Sequence, residues 1–221
     1  MRICIACFVL LSVTYISCYS QNLEIELILR PSLTSMRGDN LVEENFDPAF
    51  KLCGGIGSTY KFSNRTFLSL ALLYDAKGGE KELTIFYNSS PDPNSVVVSE
   101  VVRNESIFKY LTLPIQFGKE IGTKVKFEFG LGVYTSVLLD YELLVNSEPA
   151  DFVTKEDFKG LDFGLSGSVN VKLPITEKFH VKLGLNNNLG LADVSSVTNS
   201  NDGGIKHNSF GVALSAGLKL K

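Results

Sequence analysis

From residue 23 onward, apolar and polar side chains alternate with a period of two in almost every segment. In the first, Leu23, Ile25, Leu27, Leu29 and Leu33 share one face. Glu24, Glu26, Arg30, Ser32 and Thr34 take the other, with Ile28 the exception. This is the period of a strand with one apolar and one polar face. The alternation returns over residues 49–62, 66–75, 107–118, 125–139, 161–173, 179–191 and 208–220. That makes eight segments, an even count, each able to supply the roughly 9–11 residues of a tilted membrane-spanning strand. No segment carries a convincing helical period.

The connections alternate as well. Residues 63–65, 119–124 and 175–178 are short turns, whereas 35–48, 76–105, 140–160 and 194–206 are long and polar. Short turns at one end and long loops at the other are the habit of outer-membrane barrels. The pattern therefore predicts an all-β protein, an eight-stranded antiparallel up-and-down transmembrane β-barrel with both termini periplasmic.

A soluble barrel would alternate too, so the composition of the two faces has to decide. The polar face carries Arg30, Lys51, Lys61, Lys126, Glu128, Asp162, Lys172 and Lys182 among many glycines and serines, while the apolar face is nearly free of charge. On the apolar face Tyr60, Phe62, Phe117, Phe127, Phe129 and Phe179 lie near the short turns. Phe50, Tyr74, Phe163 and Phe210 lie near the long loops, and aliphatic residues fill the middle. Two aromatic belts around an aliphatic band mark a surface that faces lipid. The charged face must then point inward. Eight strands leave an interior just wide enough for side chains to fill, and unpaired charges there would be costly. A packed polar network is expected, not an open pore.

The first residues stand apart. Arg2, the apolar run from Ile3 to Val13 and the small or polar residues through Ser20 have the build of a secretory signal peptide. Cleavage is expected after Ser20, leaving residues 21–221 as the barrel domain. Cys18 offers lipoprotein processing as an alternative, although Tyr15-Ile16-Ser17 lacks the usual Leu. Loss of the signal removes three of the four cysteines and leaves Cys53 alone, so no intramolecular disulfide framework is expected. The formal charge of −3 becomes about −4 without Arg2 and gives no support for nucleic-acid binding.

Candidate chemistry is sparse. The histidines are His180, expected to face inward near a turn, and His207, at the outer end of the last strand and most simply a loop residue. A lipid hydrolase would need a Ser–His–acid cluster on the outer wall or its rim, and neither histidine is placed for one. No grouping along the chain has metal-ligand spacing. Asp92, Asn94 and the run 199–204 resemble calcium loops only in composition. No catalytic, cofactor or metal residue is assigned from the sequence. The long stretch 76–105 includes Val96-Val97-Val98 and Val101-Val102. A hairpin continued above the membrane there would expose strand edges to an envelope or extracellular protein.

Tyr110-Leu111-Thr112-Leu113-Pro114-Ile115-Gln116-Phe117 resembles the YLxLP strand of the PorT-like outer-membrane barrels of Bacteroidetes. Phe127 to Tyr134 resembles the strand that follows it, and Leu161-Asp162-Phe163-Gly164 a later one. The resemblance implies an eight-stranded barrel of the OmpA/OmpX sort in a Gram-negative outer membrane. Some members of that family are associated with protein secretion. The sequence thus suggests a non-enzymatic barrel, structural or partner-binding through its outer loops. An accessory role in secretion or envelope assembly is the second reading, and a lipid-modifying enzyme the third.

Overall fold

The computed structural model describes residues 22–38, 46–88, 97–150, 153–196 and 204–220. The expected signal peptide, Asp92, Asn94 and residues 199–203 lie outside the described residues.

The chain forms β1 (Leu23–Arg37), β2 (Asp47–Lys61), β3 (Thr66–Asn88), β4 (Val97–Gly122), β5 (Lys126–Val145), the two-residue β6 (Glu148–Pro149), β7 (Leu161–Pro174), β8 (Phe179–Gly190) and β9 (Lys206–Lys219). Eight of these pair in ring order β1-β2-β3-β4-β5-β7-β8-β9, and the β1–β9 ladder closes the ring from Glu24↔Lys219 to Arg37↔Lys206. Every neighbouring pair is antiparallel and follows chain order, apart from the short β6 appended to β5. This is the up-and-down closure, which leaves no sheet edge within the ring.

The period of two decides which way each side chain points. Leu131, Phe50 and Leu27 on the outer wall are 77%, 75% and 67% exposed. Arg30, Glu128, Asp162 and Lys172 point inside and are buried. An apolar wall that continuous far exceeds what a soluble monomer exposes. Burying it in hydrocarbon is the physical reason for the inverted, polar core.

In three connections the strands run farther than the alternating segments. Within residues 76–105 the continued hairpin is present over the described residues, because β3 and β4 pair without a register break from Thr66↔Lys119 to Asn88↔Val97. β4 runs to Gly122, which shortens the expected 119–124 turn. β5 runs on to Val145 and folds back through Glu148–Pro149. The cause is common to all three. A backbone ladder persists wherever two chains supply partners, but outside the membrane neither face need be apolar, so the alternation fades while the strand does not. Gly78 permits the close β3–β4 approach at the outer end: its φ is +144°, and a Cβ there would lie 1.9 Å from the Ser106 carbonyl oxygen.

Candidate functional site

The interior is layered from the turn end to the loop end. At the turn end, Glu24 and Glu26 of β1 meet Lys61, Glu120, Lys126, Glu128, Lys172, His180 and Lys182 from the surrounding strands. The Lys182 Nζ donates to Glu26 at 2.6 Å and to Glu128 at 2.7 Å. Lys172 reaches Glu24 at 2.5 Å, Lys61 reaches Glu128 at 2.9 Å, and Lys126 reaches Glu120 at 2.7 Å. Lys61 also pairs with Glu120. The four carboxylates of this layer thus face four ammonium groups. Burial of such charges is tolerated only when each keeps a partner and its hydrogen bonds.

The middle layer is neutral. The Gln116 amide donates to Ser166 at 2.7 Å, Ser168 donates to the Gln116 carbonyl at 2.7 Å, and Ser166 donates to Asn188 at 2.8 Å. A small cavity of about 90 Å³ lies beside it, lined in part by Ile28, Phe67 and Ala213.

Above this come two ion pairs. Arg30 and Asp75 meet at 3.2 Å. Lys77 and Asp162 meet at 2.8 Å, both with fully buried side chains. The Tyr134 hydroxyl also donates to Asp162 at 3.0 Å, and the Lys77 ammonium stands 4.3 Å from the Tyr134 ring centre. Thr112 bridges Asp75 and Ser136. Cys53 is buried beside this group with a free thiol.

An aromatic cluster closes the outer mouth. The Phe108 ring lies 4.7 Å from Phe158, 4.8 Å from Tyr141 and 4.7 Å from His207, centre to centre. Met36 and Leu138 pack with it. His207 is therefore no loop residue, as the sequence suggested. It lies on β9, is buried, and its Nε2 is 3.3 Å from the Tyr110 hydroxyl.

Of the eight charged residues expected inside, Arg30, Lys51, Glu128, Asp162, Lys172 and Lys182 are buried, while Lys61 and Lys126 are half-buried at the turn end. Lys51 pairs with Glu105 near the outer end. Among the belt aromatics, Phe50, Phe62, Tyr74, Phe117, Phe127, Phe129, Phe163 and Phe210 are exposed on the outer wall. Tyr60 and Phe179 are half-buried. Sequence reasoning missed Lys77 and Glu120 because it ended their segments at 75 and 118. Both keep the inward parity of their strands, and that parity could have found them.

The tertiary structure brings together a candidate metal-ligating group that no spacing along the chain shows. Glu24, Glu26 and His180, spread along the sequence, bring one ligand atom each within 4.8 Å of the others. The Glu24 Oε2 and the His180 Nε2 are buried with no hydrogen-bond partner among the described residues. Leaving a buried polar group in that state costs about 1–3 kcal/mol.

Residues 19–196 match the outer membrane protein β-barrel domain family. The chain belongs to that family. With the closed ring and the apolar outer wall, this places the protein in an outer membrane. It is similar to Neisserial surface protein A, at 12% identity over 90% of this chain and 97% of the other, with a TM-score of 0.49. It is similar to the N-terminal β-barrel domain of Pseudomonas aeruginosa OprF, at 10% identity over 90% and 97%, with a TM-score of 0.44. A third likeness is to Ail, the attachment invasion locus protein of Yersinia pestis, at 9% identity over 88% and 97%, with a TM-score of 0.40. No curated protein matches the sequence.

Proposed function

We propose that this barrel is a closed, non-enzymatic outer-membrane platform that captures an extended segment of an envelope or extracellular protein on its β3–β4 hairpin. The observation that carries this reading is a ribbon standing beyond the ring. Pairing of β3 with β2 ends at Asp47↔Glu80, and pairing of β4 with β5 ends at Asn104↔Val145. The β3–β4 ladder continues to Asn88↔Val97. Within this ribbon Phe86, Val97 and Val101 are exposed on one face, and Leu83, Ile85 and Tyr87 on the other. Among the described residues, the ribbon edges over residues 82–87 and 97–102 have no ladder partner beyond each other. Such edges flanked by exposed apolar side chains are what strand addition uses, with main-chain hydrogen bonds for affinity and alternate side chains for selection.

The short turns and both described chain ends share one end of the barrel, with Leu23 next to Leu220. Setting that end in the periplasm points the hairpin outward. Among the described residues, the aromatic cluster and the charge layers pack side chains across the lumen. The resemblance to PorT-like barrels makes secretion or envelope assembly the first process in which to seek the partner.

The test is photocrosslinking in intact cells, with the probe placed at Phe86 or Val101 on the hairpin and at Leu131 on the wall as control. Specific protein adducts from the hairpin positions alone support the reading. Identical adduct patterns from all three positions, or none from the hairpin, rule it out.

A further inference from the structure

We propose that Glu24, Glu26 and His180 form a divalent-metal site of the zinc type at the turn end of the barrel lumen, with its remaining coordination position open to the vestibule beneath. The ligand atoms come from neighbouring inward positions of β1 and from the start of β8. The His180 Nε2 lies 3.5 Å from the Glu26 Oε1 and 3.9 Å from the Glu24 Oε2. A tetrahedral ion with bonds of about 2.0–2.2 Å to nitrogen and oxygen places its ligands roughly 3.4 Å apart. Of the three edges, one is already at that length, the second closes with a shift of about half an ångström, and the third, between the two carboxylates, lies within 4.8 Å.

The second, independent observation is that two of these buried atoms lack a hydrogen bond. The His180 Nε2 and the Glu24 Oε2 are buried, lack hydrogen-bond partners among the described residues, and face one another. The rest of the layer orients them. Lys172 holds the other Glu24 oxygen, Oε1, which leaves Oε2 turned toward the imidazole. Ser215 holds the Glu26 Oε2, whereas Lys182 donates to Oε1, the oxygen that faces the imidazole, and keeps Glu128 if a cation displaces it there. Partners of this kind fix the aim of metal ligands. Gly217 makes room opposite, since a Cβ there would stand 2.4 Å from the His180 Nε2.

Nearby ammonium groups compete with a cation, but not equally. Lys61 is the loosest, 3.7 Å from the Glu24 Oε2, and it keeps Glu120 and Glu128 if it lets Glu24 go. A cavity of about 190 Å³ opens below, lined by Glu24, His180, Lys61, Lys126, Lys172 and Glu177. It supplies an entry path and room for a bound water. One imidazole and two carboxylates suit zinc or cobalt. They are too few oxygens for calcium and too nitrogenous for magnesium.

The experiment titrates Co²⁺ into the refolded full barrel in detergent, follows the visible absorption of tetrahedral cobalt, and then displaces the ion with Zn²⁺. Wild type is expected to bind one ion per chain. Binding should weaken by at least about 100-fold in His180→Ala and in Glu24→Gln, more than the loss typical of an orienting partner. Both variants should keep the gel-mobility shift of a folded barrel, and should His180→Ala fail to fold, Glu24→Gln decides alone. A His207→Ala variant should bind as wild type does. No saturable binding, or binding unchanged in Glu24→Gln, overturns the site.

Discussion

Replacing Lys77 by Met tests whether the barrel interior is held by matched charges. The substitution keeps most of the side-chain volume and removes only the ammonium group. Lys77 and Asp162 are both fully buried and 2.8 Å apart, so Asp162 would lose its one cationic partner among the described residues and keep the Tyr134 hydroxyl. Its Oδ1 already has no hydrogen bond among the described residues. Removing one member of such a pair costs about 3–5 kcal/mol, because an uncompensated charge stays buried. That corresponds to roughly a 10²–10⁴-fold loss in the folding equilibrium constant. The double variant Lys77→Met with Asp162→Asn should recover much of this loss, since it removes the charge that the single variant strands. The chain has no tryptophan, so the folded fraction is best read from unboiled gel mobility across a urea series in lipid vesicles. A single variant that costs under about 1 kcal/mol, the level of an exposed pair, would refute the reasoning. So would a double variant as damaged as the single, because the penalty would then arise from packing and not from charge.

On the outer wall, Val133→Arg should cost about 2–4 kcal/mol in the same urea assay, as for a charge near the bilayer midplane, whereas Leu139→Arg near the rim should cost under about 1 kcal/mol. Equal costs at the two depths would contradict the membrane frame. Above the membrane, Asp193 is opposed by partial burial, yet the Lys159 ammonium and the backbone N–H groups of Ser195 and Ile205 hold its carboxyl below the usual value. A lowered folded-state pKa stabilises the β8–β9 connection above the ordinary carboxylate range and loses that contribution as pH falls through the lowered value. The Ile205 amide resonance should therefore shift with an acidic midpoint, and Asp193→Asn should abolish the shift. A midpoint at the ordinary value would remove this account.

Much of the architecture is legible along the chain because a strand writes itself into sequence with a period of two. Leu23 to Leu33 announces an outward apolar stripe, and the aromatics near each end announce the interfaces. Hydrocarbon on one side and a narrow polar lumen on the other make that alternation compulsory, so eight strands and an inverted core could be read before any coordinate. The pattern stops carrying information where the membrane stops. Water wets both faces of a ribbon, so Glu82 to Tyr87 need not alternate, and only the observed ladder shows that β3 and β4 run on as a hairpin. Pairing across the lumen is equally silent in sequence. Which ammonium meets which carboxylate depends on strand tilt and register, which bring Lys77 to Asp162 and His180 to Glu24 and Glu26. The sequence by itself determined that a ring of strands would hide its charges. The tertiary structure alone decided their partners, because distances across a barrel are set by closure of the whole ring and not by any neighbour along the chain.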